Sequence, residues 1–160
     1  MATPQTSLPP APAEATAAGT RVFADIAQRW LAYLGALLCV LQVGLAALGF
    51  WGGYEDGGSE KATRAAFEAH GMNGELLGVV AVLLLVAGLV ARADKKSWVL
   101  PLVLCVLLWA VQGLLVGLAF GLNRWFGMVH ALDGMAIMGL FLWLAADRRR
   151  HPLARSAIAR

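Results

Sequence analysis

The sequence predicts an all-α fold: a polytopic membrane protein forming an up-down-up-down four-helix transmembrane bundle built from two helical-hairpin repeats. Three observations lead there. Of 160 residues, 59% are hydrophobic and 14% are charged, which is outside the usual balance of a soluble domain. The charges collect in short segments between four apolar runs, helices of about 30–50, 70–91, 98–118 and 126–146, each close to the ~20 residues a helix needs to cross a hydrocarbon core. One polar pattern also occurs twice, at the entry to the second and fourth runs: Ala69-His70-Gly71-Met72-Asn73-Gly74 and Val129-His130-Ala131-Leu132-Asp133-Gly134.

Taken in order, residues 1–29 read as a disordered, juxtamembrane cytoplasmic segment. Met1 to Thr20 is rich in Ala, Pro and Thr with Glu14 as its only charge, so it has little to bury. No basic residue marks it as a signal peptide, and the first apolar run is long enough to stay in the bilayer. Residues 30–146 form the transmembrane domain. Within it, Ser59 to Ala69 alternates charged and apolar residues and suits an interfacial helix leading into the second span. The turn from Arg92 to Ser97 is so short that the second and third spans must be antiparallel neighbours, with Ser97 and Pro101 as cap and first turn. Residues 147–160 read as a basic cytoplasmic tail. Trp30, Trp51, Trp98, Trp125 and Trp143 fall at or near run ends, where interfacial anchors belong.

Orientation rests on the basic residues. Of the 13 Lys and Arg, all but Lys61, Arg64 and Arg124 fall on the face that carries both termini and the Arg92–Ser97 turn. The positive-inside rule then makes both termini cytoplasmic in a multi-pass protein of the bacterial plasma (inner) membrane. The basic balance is topological, the surrounding partner is the lipid bilayer, and nothing points to nucleic acid.

Up-and-down connectivity sets the second and fourth spans diagonally and parallel, so His70 and His130 enter from the outer face and can point at each other. The repeat extends to Gln42 and Gln112 in the first and third spans, with 28 residues from Gln to His in one copy and 18 in the other. Gln42, His70, Asn73, Glu75, Gln112, His130 and Asp133 all map to the outer half, while Val79 to Val90 and Ala136 to Leu144 offer no ionisable side chain. The expected polarity is therefore one-sided. Unpaired polar groups in hydrocarbon cost several kcal/mol, so these residues should meet one another, water or a ligand in an outer cavity.

Each feature also has a plainer role. A single His near a helix start is more often an interfacial residue with its ring at headgroup level, and Glu75 can face headgroups in the same way. Asn73 and Asp133, three residues past each His, either orient what the rings bind or join helices by hydrogen bonds. Gly74 with Gly78, and Gly113 with Gly117, are small-residue pairs that suit close helix packing or a flat macrocycle. Cys39 and Cys105 sit in diagonal spans without a Cys-x-x-Cys or Cys-x-x-Cys-His motif, which excludes covalent c-type haem and a zinc knuckle and leaves two small core hydrophobes. No nucleophile triad, phosphate loop, His-Glu-x-x-His or dinucleotide fingerprint is present.

Phe67-x-x-His70 before the second span and His130-x-x-Asp133-Gly134 before the fourth resemble an uncharacterised family of small bacterial four-helix membrane proteins, over roughly Leu31 to Ala146. One histidine on each of these spans is also similar to one four-helix half of the haem A synthases. That resemblance implies His70 and His130 as axial haem ligands, although Gly71 stands where those enzymes commonly carry Arg after the first His.

The residues support two classes of function. One is a cofactor protein holding a single b-type haem (haem b), with His70 and His130 as metal ligands, Asn73, Asp133, Gln42 and Gln112 around them, and Arg64 or Arg124 near the propionates. The other is a non-enzymatic membrane subunit or scaffold, whose polar cluster is structural and whose partner is another membrane protein. A quinone or proton-relay site using His70, His130 and Asp133 is a third reading.

Overall fold

The structure is a computed structural model that describes residues 12–55 and 57–153. It contains α1 (Pro12–Glu55), a short α2 (Glu60–Ala66), α3 (Glu68–Ala91), α4 (Lys96–Val106), a π-helical turn (Leu107–Val111), α5 (Gln112–Gly121) and α6 (Trp125–Arg150). α4, the π turn and α5 form one rod. Among the described residues, four rods are long and apolar enough to cross a membrane: α1, α3, the α4–α5 rod and α6.

α1 packs along α3 and α6, α3 along α4, and α5 along α6. The core runs through Ala32, Ala36 and Cys39 of α1, Leu77, Val80, Ala81 and Leu84 of α3, Leu104 of α4, and Ile137, Phe141, Leu144 and Ala145 of α6. Gly35 is what lets α1 and α6 approach, because a Cβ there would overlap the Phe141 ring. Outside this core the surface is greasy, with Leu37, Val43 and Phe120 exposed at 66%, 69% and 84%. Lipid tails solvate such a surface at no cost, whereas water would not.

Three expectations fail here. Residues 12–29 are helical and continuous with the first span, not disordered, because Asp25 and Gln28 are buried among the other helices at 3% and 0% exposure. Residues 1–11 lie outside the described residues. The basic tail does not begin at residue 147, since α6 runs to Arg150 and Arg148 is 1% exposed; Arg155 and Arg160 lie outside the described residues. Ser97 does not cap the third span. The helix begins after Lys95, and Ser97 is held from the preceding turn by Asp94, whose Oδ1 accepts from the Ser97 N–H at 2.8 Å while the Ser97 hydroxyl donates to the Asp94 carbonyl at 2.7 Å.

Pro101 explains part of the burial of Gln28. It has no N–H, so the carbonyl of Ser97, one turn earlier, loses its helical donor. Gln28 supplies one from α1, its Nε2 donating to Ser97 O at 2.5 Å and to Leu84 O at 3.2 Å. Gly88 permits this junction, because a Cβ there would overlap the Ser97 carbonyl. At the other end, Ser59 caps α2 through its hydroxyl oxygen, which accepts from Ala62 N–H at 3.2 Å. α2 then folds back against α1, with Phe67 over Gly49 and Thr63 over Gly53.

Candidate functional site

The sequence-predicted polar residues form two small clusters of the same design. In the first, Gln42 Nε2 donates to the His70 carbonyl at 3.0 Å and lies 3.2 Å from His70 Nε2, while Gln42 Oε1 accepts from Asn73 Nδ2 at 2.5 Å. Asn73 also donates to the Leu38 carbonyl at 3.0 Å. In the second, Gln112 Nε2 donates to the His130 carbonyl at 3.1 Å and to Asp133 Oδ2 at 2.9 Å. The π turn ends at Gln112. Each extra residue in a helical turn rotates the next stretch of helix by about 100°, and that rotation aims Gln112 at α6.

The two clusters meet through their imidazoles, whose centroids are 6.3 Å apart with ring planes at 52°. Phe67 packs edge-on against His70 at 5.8 Å. The hydrogen bonds of His70 define its tautomer. Nδ1 lies 3.3 Å from the Gln42 carbonyl, which can only accept, so Nδ1 carries the proton and Nε2 faces the Gln42 amide as an acceptor. A ring nitrogen that donates to a backbone carbonyl fixes the tautomer as in metal-binding histidines, but here the Nε2 pair is taken up by the Gln42 amide. His130 Nδ1 is buried and has no hydrogen-bond partner among the described residues.

Imidazoles that share one metal at about 2 Å from each nitrogen have centroids about 6 Å apart, and the 6.3 Å between His70 and His130 matches that separation. Both ring nitrogens of His70 lie against Gln42, however, so Nε2 would have to exchange the Gln42 amide for a metal. Among the described residues no group of three or more His, Cys, Asp or Glu could hold a metal ion. Gly113 and Gly117 do not pack against another helix as a small-residue pair would; like Gly71, they have open space where a Cβ would project, while Gly78 lies against the Trp109 indole.

Arg64 and Arg124 are exposed, on α2 and immediately before α6, and take no part in the hydrogen bonds that build the clusters. Glu75 is exposed as well. Cys39 and Cys105 are free thiols.

A third polar cluster lies on residues outside the spans expected from the sequence. At the basic end, the Arg148 guanidinium lies 2.9 Å from Asp94, 2.5 Å from Asp147 and 3.6 Å from Asp25. Asp25 also accepts from the Leu153 N–H at 3.0 Å. Burial pushes the Asp94 carboxyl up, but the Arg148 hydrogen bond, the Ser97 N–H and the charges of Arg148 and Lys96 outweigh it and hold the group below its ordinary value. Sequence reasoning missed this cluster because it began the first span at Trp30 and treated Arg148 as one of a run of topological arginines. Asp25, isolated among apolar residues, was the signal.

No family model, curated protein or solved structure matches the chain.

Proposed function

We propose that the chain is a small integral membrane protein of the bacterial plasma membrane that binds one b-type haem between His70 and His130, near the outer leaflet. The observation that carries this reading is the pair of facing imidazoles, 6.3 Å apart, one held as the Nδ1–H tautomer by a backbone carbonyl. The likeness to one half of the haem A synthases implies the same ligand pair. A haem so held supplies one-electron transfer. The protein's contribution is to orient His70 through Gln42 and to keep His130 among apolar helices. Asn73 and Asp133 hold the two glutamines in place.

An up-down-up-down bundle of two hairpin repeats supports the convergence of the rings. Gln28 of α1 meets Leu84 of α3 while Gln42 of α1 meets His70 of α3, as antiparallel neighbours do. The matched bonds from Gln42 and Gln112 to the two histidine carbonyls favour the repeat. The basic residues gathered at the Arg92–Ser97 end favour cytoplasmic termini.

One observation favours a second reading, a non-enzymatic scaffold for another membrane protein: Gln42 already satisfies both ring nitrogens of His70. A reduced-minus-oxidised optical spectrum of protein purified from haem-replete cells separates the two. The haem reading expects the sharp bands of a six-coordinate low-spin b haem, lost or converted in His70→Ala and in His130→Ala and unchanged in His151→Ala. Wild-type protein without haem, or single variants with unaltered spectra, would leave the scaffold. A haem-free protein that binds a quinone dependent on Asp133 would instead establish the relay site.

A further inference from the structure

At the basic end of the bundle, Arg29 and Tyr33 of α1 and Arg149 of α6 line an open groove of about 370 Å³ together with Trp30. Arg149 and its neighbour Arg148 behave differently. Arg148 turns inward to three carboxylates, whereas Arg149 is exposed and, among the described residues, neither it nor Arg29 makes an ion pair. The Arg29 guanidinium lies over the Trp30 ring at 5.6 Å, and Trp30 and Tyr33 stack tilted at 5.9 Å. Two guanidiniums from different helices thus share one groove with two aromatic rings whose polar tips favour headgroup level.

We infer that this groove binds the phosphodiester of an anionic phospholipid. A guanidinium fork matches phosphate oxygens in a bidentate way, and two of them on separate helices can clamp one diester. The groove opens onto apolar surface: Leu34, Leu37 and Leu41 continue along the same face of α1 at 42%, 66% and 49% exposure. Acyl chains can lie there, which ties the anion to a lipid rather than to free phosphate. The location at the basic end of a multi-span bundle is where anionic headgroups collect. Bound there, the lipid would bridge α1 and α6.

The test uses the full chain in micelles, equilibrated with equal amounts of dioleoyl phosphatidylglycerol and dioleoyl phosphatidylcholine and analysed by native mass spectrometry. Wild-type protein is expected to retain phosphatidylglycerol in preference. Arg29→Gln and Arg149→Gln should each weaken retention roughly fivefold, the double variant about 25-fold if the two act independently, and Arg150→Gln, the same charge change outside the groove, should leave it intact. Millimolar inorganic phosphate should not displace the lipid. A second readout does not depend on the arginines: in phosphatidylcholine vesicles containing brominated phosphatidylglycerol, quenching should exceed that by brominated phosphatidylcholine, and the excess should vanish in Trp30→Phe. Equal retention of both lipids by wild-type protein, undiminished retention in the double variant, an equal loss in Arg150→Gln, displacement by phosphate, or excess quenching that survives Trp30→Phe would each overturn the site.

Discussion

Replacing Gln28 by Leu should destabilise the bundle, and replacing Pro101 by Ala should remove most of that cost. In the wild type the Ser97 carbonyl has no helical donor because Pro101 lacks an N–H, and Gln28 Nε2 serves it at 2.5 Å. Leu at residue 28 leaves that carbonyl buried and unpaired, a penalty of about 1–3 kcal/mol. Interhelical hydrogen bonds in membranes fall lower, near ~0.6 kcal/mol on average and ~1.7 at most. Leu also removes the buried Gln28 Oε1, which has no partner among the described residues, so the expected loss is about 1 kcal/mol. Ala at residue 101 restores an N–H aimed at Ser97 O, and in that background Gln28→Leu should cost under about half as much. The assay is a double-mutant cycle of unfolding in mixed dodecylmaltoside and sodium dodecyl sulfate micelles, followed by tryptophan fluorescence. If Gln28→Leu costs the same in both backgrounds within about 0.3 kcal/mol, the orphaned-carbonyl account is wrong.

Gln42→Leu removes the amide that faces His70 Nε2 but keeps the backbone carbonyl that orients Nδ1, so the variant should insert normally and bind at least as much haem as wild type; loss of haem from a well-folded variant would contradict the tautomer argument. Gly88→Ala forces a Cβ into the Ser97 carbonyl and should lower the detergent unfolding midpoint at least as far as Gln28→Leu does; an unchanged midpoint would contradict the close approach. Because the folded-state pKa of Asp94 is depressed, its ionisation stabilises the fold above its unfolded value near 3.8, and this contribution fades as pH drops through the lower folded value. The advantage of wild type over Asp94→Asn should therefore be steady near neutrality and shrink below about pH 4; a difference that grows in acid would reverse the sign. For topology, a cysteine at Gly57 should react with a membrane-impermeant thiol reagent in intact cells and one at Lys95 should not, with the opposite pattern inverting the orientation.

Much of the histidine site was legible in the sequence. Gln42, His70 and Asn73 repeat as Gln112, His130 and Asp133, and polar groups in hydrocarbon must find partners, so the sequence pointed to these residues meeting one another, water or a ligand in one cavity, whereas the structure sorts them into two matched clusters. The arginines expected near them were not legible in this way, because Arg64 and Arg124 lie in short exposed segments whose direction depends on how α2 and α6 begin. The glycine pairs also had two meanings, and packing separated them: Gly78 meets Trp109, while Gly113 and Gly117 meet nothing.

Composition and run length by themselves determined that this chain is helical, that four of its segments are long and apolar enough to cross a membrane, and which polar residues would be costly there. These are local properties, set by the hydrophobicity of each segment and the length that a helix needs. Tertiary structure alone decided that α1 extends back to Pro12, that Gln28 completes the carbonyl exposed by Pro101, that the π turn aims Gln112, and that Arg148 rather than Arg149 is buried. Adjacent arginines on one helix look identical in sequence. They diverge only because their side chains leave that helix about 100° apart, one toward Asp25 of α1 and Asp94 of the α3–α4 turn and one toward the groove.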